Sequence, residues 1–232
     1  MRWRRVAAAA GAAAAVLMPA WGPPLLRPFG FFRVRRIELV GVQRMAPAVV
    51  VRALGLAREA SVWDRLGRPE AQVRALPGVA DAEVTRRLPA TLRVTVREVE
   101  PMALAAGPWG LVPVGPDARP LPYDLAGATV DAPVVRGAQP AVVSALVALR
   151  GADPSFYSEV VAARSGPAGS VELELEGGGR VRLALPVDAA VVRSVAAVER
   201  DLASRAQAWR ELDGRFGGWV VVRGATRAEA KS

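Results

Sequence analysis

The sequence contains no histidine and no cysteine, and its single lysine, Lys231, lies one residue from the C-terminus. Without those side chains it cannot build a Ser/His/Asp triad, a thiolate nucleophile, a haem thiolate or a His/Cys zinc site. The lack of cysteine also removes any disulfide framework, whichever side of a membrane the chain occupies. Carboxylate chemistry and Ser/Lys pairs are left, but no paired carboxylates stand beside a glycine-rich or otherwise shaped loop. The expectation is a protein that is not an enzyme, with no cofactor, no metal site and no small-molecule substrate.

What is present points to folded modules. Hydrophobic residues make up 52% of the 232 positions, enough for real cores in one large domain or two small ones. The formal charge of +9 is almost wholly arginine. Nucleic acid rewards clustered positive charge, whereas these arginines stand singly between apolar and acidic residues along the chain. Clusters of three occur only at Arg2, Arg4, Arg5 and at Arg33, Arg35, Arg36. Both flank the same apolar run, so phospholipid headgroups fit better than nucleic acid as an anion, beside the plainer reading of a solvated surface from an arginine-favouring genome.

That run covers residues 6–26, 21 residues without a charge. As a helix rising ~1.5 Å per residue it is about 31 Å long, the thickness of a hydrocarbon core of ~30 Å. Alanine and glycine dominate it, and Gly22, Pro23 and Pro24 disturb its last turn. It reads as a single membrane span, with a cleaved signal peptide as the competing reading because Ala13 to Ala20 offer Ala-x-Ala-like sites. In either case the leading arginines keep the N-terminus in the cytoplasm and send the rest out. The organisation expected is a cytoplasmic N-terminus and anchor over residues 1–31, a first domain over 32–100, a second over 101–224, and a disordered tail over 225–232.

In the first domain a strand is predicted over residues 34–40, closed by Gly41. A helix follows from Pro47, with Val50, Val51 and Leu54 on one face and Gly55 beyond its end. A second helix is marked by Pro69 at its start, Val73 and Leu76 on one side, and Pro77-Gly78 as the stop. Two strands are then expected over residues 79–87 and 91–99, around the turn Leu88-Pro89-Ala90. In the second of them Leu92, Val94 and Val96 alternate with Arg93, Thr95 and Arg97, giving a sheet with one dry face. The order is β-α-α-β-β.

The second domain begins after Pro101 with short strands and loops over residues 106–122, rich in glycine and proline. Pro140 opens a helix whose Val142, Leu146 and Leu149 face inward. A hairpin is predicted where Val171, Leu173 and Leu175 alternate with Glu172, Glu174 and Glu176, then return after Gly177-Gly178-Gly179 as Val181, Leu183 and Leu185 with Arg180 and Arg182 between them. Its glutamates and arginines would share an exposed face, each cross-strand pair contributing roughly 0.2 to 1 kcal/mol. No Lys-Ser/Thr follows the glycines and no helix starts there, which excludes a phosphate loop. Asp188 is the expected cap of a helix carrying Val191, Val192, Val195, Val198 and Leu202 as one stripe.

The run from Leu76 to Glu98, with Pro101 behind it, resembles the POTRA domain of the FtsQ/DivIB cell-division family. The recurring features are Leu76-Pro77-Gly78-Val79, Ala82-Glu83-Val84-Thr85-Arg86, Pro89-Ala90-Thr91-Leu92, the alternating valines and the closing Glu98. More loosely, Ala132-Pro133-Val134-Val135-Arg136-Gly137 and the segment from Trp209 to Arg223 resemble steps of that family's β domain. Val112-Pro113-Val114-Gly115 departs from the Val-Asp-x-x-Gly-like turn usual there. The resemblance implies an α+β protein: an N-terminal membrane helix, a POTRA domain and a mostly β domain with flanking helices.

It also implies a divisome scaffold of the cytoplasmic (inner) membrane, placed at the septum with its domains outside. Its partners would be FtsB/DivIC-like and FtsL-like proteins. The partner-binding residues it suggests are Arg215, Phe216, Gly218, Trp219, Val220, Val221, Val222 and Arg223, on a last strand read over residues 218–223 that lends its backbone to a partner strand. Two rivals are weighed beside it. An exported POTRA protein of outer-membrane transport or assembly would ordinarily show several POTRA repeats or a run of barrel strands. A secreted hydrolase would need a carboxylate pair in a cleft.

Overall fold

The computed structural model describes residues 29–107, 110–124, 130–136 and 139–224. The chain divides into two compact units between Val99 and Glu100. No helix among the described residues is long and apolar enough to cross a membrane. The apolar run at 6–26 and the tail at 225–232 lie outside the described residues.

The first unit opens with a 3-10 turn at Gly30–Phe32 and continues as β1 (Arg36–Val40), α1 (Pro47–Ala53), α2 (Gly67–Arg74), β2 (Val79–Arg87) and β3 (Thr91–Glu98). The sheet order is β1-β3-β2, with β1 parallel and β2 antiparallel to β3. The apolar face of β3, Leu92, Val94 and Val96, is buried together with Val50 of α1, Leu54 just past its end, and Val73 of α2. Because β3 is central, its alternation carries the unit's core.

Local detail departs from the sequence reading in places. β1 starts at Arg36, not at residue 34, because the Val34 N–H is donated to Ala60 O instead of a ladder partner. Val51 is 40% exposed, so Val50 is the buried residue of α1, with Leu54 buried just past its end. α2 begins at Gly67, which puts Pro69 third in the helix, where a missing N–H is still harmless. Gly41 is required: its φ is +83° and a Cβ would come within 2.2 Å of Val96 O.

Glu98 fastens β3 to the start of α1. Its carboxylate accepts from the backbone N–H groups of Gln43, Arg44 and Met45 at 2.9 to 3.1 Å, and its side chain is almost wholly buried. A carboxylate among three amides satisfies donors that no strand or helix engages.

The second unit contains β4 (Ala103–Gly107), β5 (Gly110–Val114), β6 (Val134–Val135), α3 (Pro140–Ala152), α4 (Pro154–Ser158), β7 (Val160–Gly166), β8 (Ser170–Leu175), β9 (Arg180–Ala184), α5 (Ala189–Ser204), β10 (Trp209–Phe216) and β11 (Trp219–Gly224). They form an eight-stranded sheet in the order β11-β10-β9-β8-β7-β6-β4-β5. One core joins Val142, Leu146, Leu149, Phe156, Val192 and Val195 of the helices to Leu173, Leu183 and Leu212 of the strands. Asp188 caps α5 by accepting from Ala190 N at 2.7 Å. α4 and β7 had no counterpart in the sequence reading.

The predicted hairpin is present, with Glu172 opposite Arg182 and Glu174 opposite Arg180. Its charged face is not uniformly wet, however. Glu172 is only 8% exposed, because arginines on both neighbouring strands lie over it.

Candidate functional site

An eight-stranded open sheet has two margins, and here they differ. At one, Pro113 of β5 has no N–H to offer, and its carbonyl accepts from Leu121 N at 2.8 Å. Val114 also bridges Pro120, so a following segment covers that margin. At the other, β11 pairs only with β10. Among the described residues no backbone hydrogen bond outside this ladder engages residues 219–224. That leaves a row of N–H and C=O groups facing outward along the last strand.

The hairpin that presents β11 is closed by Gly217-Gly218, with φ of +53° and +95° between the paired residues Phe216 and Trp219. Two consecutive positive φ values are what a tight primed turn demands, and only glycine adopts both without strain. Gly218 therefore belongs to the turn, and the strand starts at Trp219 rather than at residue 218. In β10 the register slips between Asp213 and Phe216, which accommodates Gly214. Glycine is needed there because a Cβ would lie 2.9 Å from Val195 and 3.1 Å from Val191 of α5.

The side chains along this margin divide into apolar and charged sets. Trp219 is 79% exposed and Phe216 51%, while Val221 and Val222 are each exposed by about two fifths. Val220 is half-buried against the helix-covered core. Trp219, Val221 and Arg223 alternate onto the face opposite Val220, as a two-residue period requires.

On that helix-free face a ladder of alternating charge crosses five strands to the margin. Arg164 on β7 pairs with Glu172 on β8. Arg182 on β9 reaches Glu172 at 3.0 Å and Glu211 on β10 at 3.3 Å, and Arg223 on β11 closes on Glu211 at 3.1 Å. Arg223, its outermost member, keeps 58% of its side chain in solvent. Beside it, Asp213 is fully buried, and its carboxyl is held below the usual carboxylate range chiefly by hydrogen bonds from the Arg215 side chain. Arg215 in turn lies 5.8 Å above the Phe216 ring.

All the residues that sequence reasoning assigned to partner binding fall on this hairpin. Within the hairpin Arg215 is paired with Asp213, and Arg223, read from the sequence as a salt-bridge donor, is paired with Glu211. Neither acidic residue was anticipated. The available signal was the period-two run Glu211, Asp213, Arg215 interleaved with Leu212 and Gly214.

A cleft of about 250 Å³ on the charged face is lined by Val134, Arg136, Arg164, Glu172, Glu174 and Arg180. Among the described residues no group of acidic side chains could hold a metal ion.

Residues 32–98 match the family model of the POTRA domain, FtsQ-type. No curated protein matches the chain. Among solved structures, the chain is similar to the major extracytoplasmic domain of the trans isomer of the bacterial cell-division protein DivIB from Geobacillus stearothermophilus. The identity is 17%, the match covers 46% of this chain and 96% of that one, and the TM-score is 0.33.

Proposed function

Starting from the match of residues 32–98 to the FtsQ-type POTRA domain, we propose that this chain is a membrane-tethered, non-enzymatic scaffold of bacterial cell division, of the FtsQ/DivIB kind. Its work is to capture a partner strand at β11. The reading rests on one observation: among the described residues nothing but β10 pairs with β11, which is flanked by exposed Trp219 and Phe216, in a sheet whose opposite margin is covered. An uncapped apolar strand of this kind invites aggregation unless a partner occupies it.

In this mechanism the backbone of residues 219–224 supplies alternating hydrogen bonds, each worth about 0.5–1.5 kcal/mol net. Trp219 acts as an aromatic anchor, of the type that dominates interface energies. The charge ladder sets register, since an acidic residue across from Arg223 would continue its alternation. The partners in this reading are FtsB/DivIC-like and FtsL-like membrane proteins. The chain sits in the cytoplasmic membrane at the septum, with its N-terminus inside and both units outside.

The test is a pull-down from detergent extract with the intact chain as bait, beside Trp219→Ala and Val221→Pro variants. Recovery of small coiled-coil division proteins by the parent, and their loss with folded variants, is expected. Equal recovery by folded variants would move the contact away from β11.

A further inference from the structure

The start of the first unit is stitched down while presenting bare aromatic rings. Phe32 O accepts from Val62 N at 2.9 Å, Val34 N donates to Ala60 O at 2.8 Å, and Arg33 bridges Ser61. The Phe32 ring meets the Trp63 ring edge-on at 5.8 Å and the Phe31 ring at 5.2 Å. Yet Phe31 is 63% exposed and Phe29 59%. Two phenyl rings exposed side by side leave apolar surface in water.

The neighbouring charges are basic. The Arg35 guanidinium lies 3.5 Å from Gly30 O, inside the Phe29–Phe31 segment. Arg33 stands next to it and is only loosely paired with Glu59, at 3.6 Å. In sequence, the uncharged run 6–26 ends three residues before Phe29. Three residues of extended chain reach only about 10 Å, so a chain anchored through that run holds these rings at the lipid headgroups.

We propose that Phe29 and Phe31, with Arg35 and Arg33, form a footing that seats the first unit on the outer surface of the bilayer. The rings enter the headgroup and upper acyl region and the guanidinium groups meet lipid phosphates. Apolar rings flanked by arginines bind an interface through buried apolar area plus attraction to anionic lipid. The inference rests on the membrane-anchored reading above and adds an orientation to it: the first unit is clamped to the lipid instead of swinging freely on its tether.

The natural lack of cysteine makes the test clean, since any introduced thiol is unique. The full-length chain is reconstituted in nanodiscs of phosphatidylcholine with phosphatidylglycerol, carrying one nitroxide at Phe31→Cys, Phe29→Cys, Ala14→Cys or, as the solvent control, Glu176→Cys. Collision with oxygen is compared with collision with a water-soluble nickel chelate. The footing predicts that labels at 29 and 31 are shielded from nickel at least several-fold more than the label at 176, and that added phosphatidylglycerol strengthens the shielding. If position 14 is lipid-embedded while 29 and 31 collide with nickel as freely as 176, the footing is wrong and the anchor stands. If position 14 itself is water-exposed, the anchored reading fails and takes the footing with it.

Discussion

The buried carboxylate of Asp213 grips the guanidinium of Arg215 two residues along the same strand, with Nε–Oδ1 at 2.8 Å and Nη2–Oδ2 at 2.6 Å. The Arg215 backbone N–H also donates to Oδ1, at 3.2 Å. This closes the bulged end of β10 on itself and sets how the hairpin presents Phe216 and Trp219. The margin is thus braced from within before any partner arrives.

That bracing depends on pH in a defined direction. The folded state lowers the Asp213 pKa, chiefly through the Arg215 hydrogen bond. The stabilisation is therefore complete above the unfolded carboxylate value of about 3.9 and is lost as pH falls through the lower folded value. Asp213→Asn should cost about 1.5–3 kcal/mol at neutral pH, as charge-assisted hydrogen bonds do. Urea unfolding at pH 7 and at pH 3 checks this, with the gap between parent and variant narrowing at the lower pH.

Glu98 should behave as a structural carboxylate of the first unit. Glu98→Ala strips acceptors from three backbone N–H groups at once, and should destabilise the unit by about 2–4 kcal/mol given charged, buried hydrogen bonding. Glu98→Gln keeps one oxygen and should recover part of the loss. Thermal unfolding of the intact chain, followed with amide exchange at residues 43–45, reads both.

The POTRA sheet has a margin of its own at β2, and it is guarded. Arg74 of α2 donates to Ala82 O at 2.7 Å, and Val84 N donates to Glu70 at 3.2 Å. The two side chains are also paired with each other at 3.1 Å. They occupy backbone groups that another strand would otherwise take. Glu70→Ala/Arg74→Ala should leave the fold intact but yield concentration-dependent self-association in detergent solution, seen by light scattering. A variant that stays at the parent's size at every concentration would show that the helix itself shields the strand.

Legibility in the sequence followed how strongly each segment commits its side chains. Leu92, Val94 and Val96 alternate without interruption, so β3 and the β-α-α-β-β order could be read directly. β7 could not, because Ala162, Ala163 and Arg164 show no alternation, although it forms a hairpin with β8 and lies parallel to β6. α4 was missed although Asp153 before Pro154 is a cap signal, and Asp153 does accept from Phe156 N at 3.0 Å. At the candidate site the glycine turn and the last strand were visible, whereas the sequence left Trp219 open between an exposed anchor and a core residue. The burial of Glu172, Glu211 and Asp213 was not, since it arises only when five strands bring their arginines side by side.

The central claim is that β11 receives another strand, and amide hydrogen exchange over residues 219–224 tests it most directly. The full chain is measured alone and after saturation with the partner recovered in the pull-down. The outward-facing amides of β11, fast in the free chain, should slow at least tenfold in an every-second-residue pattern, while the β5 margin stays unchanged. Unaltered exchange along β11 in a complex that protects other surfaces would contradict the account.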